Sequence, residues 1–202
     1  RDINDTIRAV EYAVCKLEKA KNLENKKIFT KNPEELPLSD YYINKEDNLN
    51  PRYTFENFVI GPFNELAYAA AQAIVKQPGI VYNPLFIYGN TGHGKTHLIQ
   101  AIGNQVKNHY KDKKVFYLTT DKYYSEYINA VQANKVNQFK EKYRKYDVLI
   151  MDDIQFLSKK EKTQEELFHL FNTLYDNNKQ IVFSSDQHPN FIPGLEDRLK
   201  SR

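Results

Sequence analysis

The sequence predicts an α/β fold of the three-layer αβα kind, built on a parallel sheet. Three observations carry this. From about residue 53 onward, short apolar runs alternate with amphipathic stretches, the pattern of parallel strands covered by helices on both faces. One run, Leu85–Tyr88, passes directly into Gly89-Asn90-Thr91-Gly92-His93-Gly94-Lys95-Thr96, a G-x-x-x-x-G-K-T phosphate loop that opens a helix. Another, Val148–Met151, ends in the adjacent carboxylates Asp152 and Asp153.

Taken in order, residues 1–20 read as an amphipathic N-terminal helix, because Ile3, Ile7, Val10, Val14 and Leu17 recur at steps of three and four. Residues 21–52 lose that period and carry Pro33, Pro37 and Pro51 among Asn, Lys and Glu. They are expected to be a linker, either mobile or laid over the next domain. The domain proper is expected over 53–202. Its first helix, around Ala67–Val75, is alanine-rich and is stopped by Pro78-Gly79. Strand Leu85–Tyr88 and a helix over 96–110 flank the phosphate loop. Strand Val115–Thr119 follows, then helices over 121–133 and 135–145. Strand Val148–Met151, a helix over 162–176, strand Ile181–Ser184 and a new helix near Glu196 complete the pattern. Ligands of such folds sit at the carboxyl ends of the strands, where every motif described here falls.

Composition narrows the class further. The chain has 202 residues, of which 41% are hydrophobic, enough for one domain with a real core. No apolar run approaches the length of a membrane span, and the first residues lack the pattern of a secretory signal. Cys15 is the only cysteine, so a disulfide framework within the chain is excluded and a reducing, cytoplasmic setting fits. A net charge of +3 is too small to indicate nucleic acid by itself. The chain lacks an initiator Met and stops at Arg202 directly after a helical pattern, so it is expected to be an internal piece of a longer protein.

The candidate site is a nucleoside triphosphate site. Glycines at Gly89, Gly92 and Gly94 let backbone N–H groups turn toward phosphate oxygens, and the following helix presents its positive end to the same anion. Gly89, Gly92, His93, Gly94, Lys95, Thr96 and His97 form the expected binding set. Lys95 reaches the β- and γ-phosphates, and the Thr96 hydroxyl ligates Mg²⁺. A buried strand carries carboxylates at its tip only if they are compensated, which a metal ion does. Asp152 is therefore expected to serve the Mg²⁺ and Asp153 to orient and polarise an attacking water. Strand Gln180–Phe183 ends in Ser184-Ser185-Asp186, between the two earlier strand tips, and Asp186 is placed to touch the γ-phosphate or its water. The competing readings of these motifs are an Asp-rich turn or helix cap for Asp152-Asp153, and plain strand-end capping for Ser184–Asp186.

With these pieces in place the chain resembles the AAA+ ATPase domain of the DnaA family, the bacterial chromosomal replication initiators. The resemblance runs from about Arg52 to Arg202. It rests on Tyr53-Thr54-Phe55-Glu56-Asn57-Phe58-Val59-Ile60-Gly61, Tyr82-Asn83-Pro84-Leu85, Gly94-Lys95-Thr96-His97-Leu98, Asp152-Asp153-Ile154-Gln155-Phe156, Gln164-Glu165-Glu166-Leu167-Phe168-His169 and Gly194-Leu195-Glu196-Asp197-Arg198-Leu199-Lys200-Ser201-Arg202. It implies a P-loop fold with a five-stranded sheet, ATP and Mg²⁺ as cofactors, and slow hydrolysis that acts as an off switch. ATP-bound copies are expected to assemble on the replication origin and promote strand opening. Arg202 would touch the γ-phosphate held by a neighbouring copy, with Arg198 in support. Phe58, Val59, Ile60 and Asn64 would line the adenine pocket.

The helices between 121 and 145 resemble the family's initiator-specific insertion. That stretch has six positive residues against three negative, with Tyr123, Tyr124, Tyr127 and Tyr143 interleaved, a composition that suits a single DNA strand. Ile128, Lys160 and Lys162 match the family's strand contacts. The implied partners are DNA, further copies of the chain in the ATP form, the replicative helicase machinery and, at the periphery, acidic lipid. The implied location is the nucleoid. Asn90 and His93 depart from the family's usual Gly and Leu, at positions that contribute mainly backbone. The resemblance stops before the family's lid and its C-terminal helix-turn-helix, so this piece by itself is expected to bind ATP weakly and duplex DNA without specificity. The competing assignments are an initiator-like regulator or helicase loader on the same core, and a P-loop kinase for a small molecule.

Overall fold

A computed structural model describes residues 9–11 and 43–200. Five strands, β1 (Ala9–Glu11), β2 (Leu85–Tyr88), β3 (Val115–Thr119), β4 (Val148–Asp152) and β5 (Gln180–Ser185), form one sheet in the order β1-β2-β5-β4-β3. All four pairings are parallel. Six α-helices occur among the described residues: α1 (Glu65–Lys76), α2 (Lys95–His109), α3 (Thr120–Gln132), α4 (Val136–Arg144), α5 (Glu161–Asp176) and the short α6 (Asp197–Lys200).

Side-chain alternation along the strands builds two apolar layers. Val148 and Ile150 of β4 face one layer with Ile87, Val182 and the buried faces of α1 and α2. Leu149 and Met151 face the other with Leu118, Ile181, Phe183 and residues of α3, α4 and α5. The central strands β4 and β5 are buried along their whole length, as expected where helices cover both faces of a parallel sheet. Pairing β2 with β5 (Tyr88↔Ser185) and β4 with β3 (Asp152↔Thr119) aligns the strand tips that carry the motifs.

Two expectations are corrected. The N-terminal amphipathic helix is not formed at residues 9–11, which instead pair with Phe86–Tyr88 as the fifth strand. The rest of 1–20 lies outside the described residues. A single helix of that length is marginal in water, whereas the edge of β2 offers backbone groups that need partners. The second correction concerns the start of the domain, expected at residue 53. Leu49 is 1% exposed and sits against α2, where Gly103 gives it room: a Cβ at Gly103 would lie 2.9 Å from Leu49 Cδ2. The Asn50 N–H donates to Gln100 Oε1 at 2.8 Å, and Asn104 Nδ2 donates to the carbonyls of Asn50 and Tyr53. Asp47 pairs with Lys107. Residues 47–52 therefore belong to the domain and are laid over it.

Gln180 is a polar residue at the start of a central strand, and it is fully buried. Its Oε1 accepts from the Gly79 N–H at 2.9 Å, and its Nε2 donates to Tyr82 O and Ile181 O at 3.0 Å each. This amide ties the turn after α1 to the base of β5. Gln180→Leu leaves a buried donor and acceptor unpaired and is expected to lower the unfolding free energy by about 2 kcal/mol or more. A urea-unfolding midpoint equal to that of the parent would contradict this.

Candidate functional site

The phosphate loop leaves the tip of β2 and re-enters as α2. Gly89 N–H donates to Ser185 O at 3.2 Å, fixing the loop to β5. Gly92 and Gly94 take the left-handed φ values of +87° and +81°, and Gly94 is the residue that caps α2. Lys95 is only 6% exposed. Its Nζ donates to Gly89 O (2.7 Å), Asn90 O (3.1 Å) and Asp186 Oδ1 (2.7 Å). Asp186 Oδ2 accepts from Thr91 and from Gln155 Nε2.

Asp152, 2% exposed, ends β4. Its Oδ2 accepts from Thr96 Oγ1 at 2.7 Å and from the Tyr117 hydroxyl at 2.9 Å, while Ser184 Oγ donates to Oδ1. Burial pushes the Tyr117 phenol well above its usual range, and the neighbouring Asp152 charge pushes it further, so it stays a donor. Asp153 has a left-handed φ of +61°. Its N–H donates to Ser184 Oγ and its Oδ1 accepts from Gln155 Nε2, each at 3.0 Å. Burial raises the pKa of Asp153 and the Asp152 charge adds to this, with the Gln155 bond partly opposing.

Beside these groups opens a cleft of about 410 Å³. Tyr53, Lys95, Thr96, His97, Asp153, Gln155, Phe156 and Asp186 line it with Gly92 and Gly94. The structure thus brings together most of the expected phosphate-binding set. His97 also anchors the wall: its Nε2 lies 2.8 Å from Thr54 O, a carbonyl, so this nitrogen carries the proton. Among the described residues no group of three or more His, Cys, Asp or Glu could hold a metal. The hard oxygen pair of Thr96 and Asp152 fits Mg²⁺, which keeps water and substrate phosphate oxygens in its shell and needs few protein ligands.

The expected adenine residues divide. Phe58 is buried, and its ring lies against the loop, 3.2 Å from where a Cβ of Gly94 would stand. Asn64 is buried too, and it shapes the backbone: Oδ1 accepts from Gly61 N–H and Nδ2 donates to Val59 O. That brace leaves Val59 and Ile60 exposed at 81% and 49%. None of the four lines the phosphate cleft itself. Arg198 lies in α6, and its side chain, like all of Arg202, is outside the described residues. Sequence reasoning gave no role to Tyr117 and Gln155, and read Ser184 only as part of the polar end of its strand. Tyr117 and Ser184 were visible only as polar positions in apolar strands, and Gln155 only as part of the Asp152–Phe156 motif.

A second, open groove lies over α3 and the start of α5. Ile128, Lys160 and Lys162 line it together with Tyr124, Lys159 and Thr163. Lys160 Nζ stands 3.9 Å from the centre of the Tyr124 ring. Two parts of the basic, tyrosine-rich picture change. Tyr123 and Tyr143 are fully buried, packed with Phe139 between α3 and α4, and cannot stack on bases. Lys140, Lys142 and Arg144 are paired with Glu166, Glu126 and Glu141. Burial opposes ionisation of Glu126, but the bonds from Lys142 and Tyr143 prevail and lower its pKa. The groove's positive charge therefore comes from residues 159–162, with α3 supplying Tyr124 and Ile128.

A glycine-rich loop, its lysine and threonine, and two carboxylates on the next strand tip define a P-loop nucleoside-triphosphate-binding domain. The model of the bacterial DnaA ATPase domain matches residues 49–202. By that match the chain belongs to the DnaA family. It is 54% identical over 154 residues to the chromosomal replication initiator protein DnaA of Deinococcus deserti, covering 76% of this chain but 34% of that protein. The chain thus spans about a third of that relative's length. Domain III of the Thermotoga maritima replication initiation protein DnaA superposes with a TM-score of 0.74 at 51% identity, covering 76% of this chain and 64% of that one. A replication initiator DnaA bound to AMPPCP and single-stranded DNA gives 0.74 at 46% identity, covering 77% and 48%. Among the described residues no helix is long and apolar enough to cross a membrane.

The raised pKa of Asp153 has a definite sign for stability. A carboxyl that holds its proton more tightly when folded stabilises the fold at low pH, and the benefit is lost as pH rises through the folded pKa. At neutral pH the ionised Asp153 is a net cost. Asp153→Asn keeps the left-handed backbone and the acceptor for Gln155. In metal-free buffer it is expected to melt above the parent at pH 7–8, with the gain vanishing below about pH 4. A gain that is constant with pH would show that the carboxylate charge is not its source.

Proposed function

We propose that this domain is the ATP-driven switch of a replication initiator: it binds ATP with Mg²⁺, assembles with further copies on origin DNA while ATP is bound, and disassembles after slow hydrolysis. The observation that carries the reading is the convergence of Lys95, Thr96, Asp153 and Asp186 on one cleft at the tips of β2, β4 and β5, with Asp152 buried behind it and bonded to Thr96. The relative bound to AMPPCP and single-stranded DNA supports the same ligands here.

Each residue has a role that follows from its chemistry. The backbone N–H groups of 89–96 and the start of α2 receive the phosphates. Lys95, held by Asp186 and two loop carbonyls, transfers its charge to the β- and γ-phosphates, which leaves Asp186 beside the γ-phosphate. Thr96 and Asp152 would hold Mg²⁺. When bound, the ion neutralises charge on the phosphate oxygens. Asp153, with its raised pKa, orients the attacking water and draws on its proton. The exposed faces of Val59 and Ile60 offer apolar surface to the purine, on a loop braced by Asn64. Arg202, supported by Arg198, senses the γ-phosphate of a neighbouring copy, since a guanidinium stays charged and forks onto phosphate oxygens.

The groove over α3 and α5 is assigned to one DNA strand. Lys159, Lys160 and Lys162 track phosphates, and Tyr124 and Ile128 offer flat or apolar surface to bases. The site of action is then the cytoplasm, at the nucleoid, with helicase recruitment left to the rest of the initiator.

Lys95→Ala, in the full-length protein, is expected to abolish binding of a fluorescent ATP analogue; unchanged affinity would remove the site assignment. Lys162→Ala should weaken single-strand binding more than duplex binding and reduce the salt slope by about one. Equal losses on both substrates would count against a single-strand groove.

A further inference from the structure

Tyr117 is the third residue of β3 and points from the middle of the strand toward the tip of β4, where its hydroxyl meets Asp152 Oδ2 at 2.9 Å. Thr96 donates to that same oxygen at 2.7 Å, and Ser184 donates to the other. A hydroxyl that lends a lone pair to a metal ion keeps its proton, so Thr96 would go on donating to Oδ2. Tyr117 is the second side-chain donor on that oxygen, and it would be free of the ion. Tyr117 is itself held through main chain and side chain. Its backbone N–H donates to Asp47 O at 2.9 Å and its backbone carbonyl accepts from Asn48 Nδ2 at 3.0 Å, while its hydroxyl also interacts with the buried Gln100 side chain. Gln100 in turn accepts from Asn50 N–H.

We propose that Tyr117 is a positioning residue for the nucleotide's metal ion: its hydroxyl fixes the orientation of the Asp152 carboxylate and ties that orientation to the segment 47–50, which the rest of the site does not touch. The proposal rests on reading Thr96 and Asp152 as the Mg²⁺ residues. Outer hydrogen-bond partners of metal ligands commonly change metal affinity by about 10- to 100-fold when removed. Here the effect falls on the metal and not on the phosphates, because Lys95 and the loop are bonded elsewhere.

The test is Tyr117→Phe in the full-length protein, which keeps the ring and removes only the hydroxyl. Binding of a fluorescent ATP analogue is titrated with Mg²⁺ and repeated in excess EDTA, and melting temperature is recorded without nucleotide. We expect the Mg²⁺ concentration for half-maximal effect to rise about tenfold, with the affinity in EDTA unchanged. An unchanged Mg²⁺ titration overturns the positioning role, as does an equal loss of affinity with and without Mg²⁺, which is what mere loosening of the fold would give. The parent protein serves as the separate check on the site itself. If Mg²⁺ leaves its nucleotide affinity unchanged, the metal assignment of Thr96 and Asp152 fails, and the Tyr117 proposal fails with it.

Discussion

A carboxylate buried at the end of a central strand is the constraint around which this domain is arranged. Asp152 is 2% exposed, and taking an ion out of water costs several kcal/mol after relaxation. Hydrogen bonds to a charged group return about 1.5–3 kcal/mol each. Three hydroxyls donate to the two oxygens of Asp152, from Thr96 on α2, Tyr117 on β3 and Ser184 on β5. The Thr120 hydroxyl also donates to its backbone carbonyl, at 2.8 Å. The compensation of the charge therefore draws on three separate elements, α2, β3 and β5. Each must be in register for the charge to survive, so the parallel pairing of β3, β4 and β5 and the seating of α2 are coupled to the chemistry of a single side chain.

The same economy extends outward. Lys95, also buried, is neutralised by Asp186 and by the loop's own carbonyls, and Gln155 bridges Asp186 to Asp153. Charges at the cleft are thus held as a closed network, with cation and carboxylates paired within hydrogen-bond distance. On the function proposed here, phosphate oxygens would take the place of Asp186 on Lys95. The cleft is thus prearranged in position while its charges remain satisfied.

The groove over α3 and α5 obeys a different rule. Its surface is open, and its lysines are long, solvated side chains on the first turn of α5 and the residues before it. Lys160 lies over Tyr124 and within 3.6 Å of Asp121, so it is oriented without being buried. Such a surface suits a flexible polyanion, for which many modest contacts add up, and not a compact ligand that needs a closed pocket.

The sequence by itself determined the alternation of strand and helix, the loop that receives phosphate, the lysine and threonine within it, and the paired carboxylates. These are local patterns: a period of two or of 3.6, a run of glycines, an abrupt switch from apolar to acidic. Their spacing alone decides backbone shape and charge, so they could be read residue by residue. Tertiary structure alone decided the rest. Residues 9–11 gave up a helical period because a sheet edge lay open. Leu49 became part of the core because Gly103 left space for it. Tyr123 and Tyr143, which resemble base-stacking rings in the sequence, are interior packing, while Tyr117, which resembles an ordinary strand residue, reaches the buried carboxylate of Asp152. In each case the outcome depends on what lies across a contact between segments distant along the chain. Burial and hydrogen-bond partnership are properties of pairs, and no single stretch of sequence contains both members.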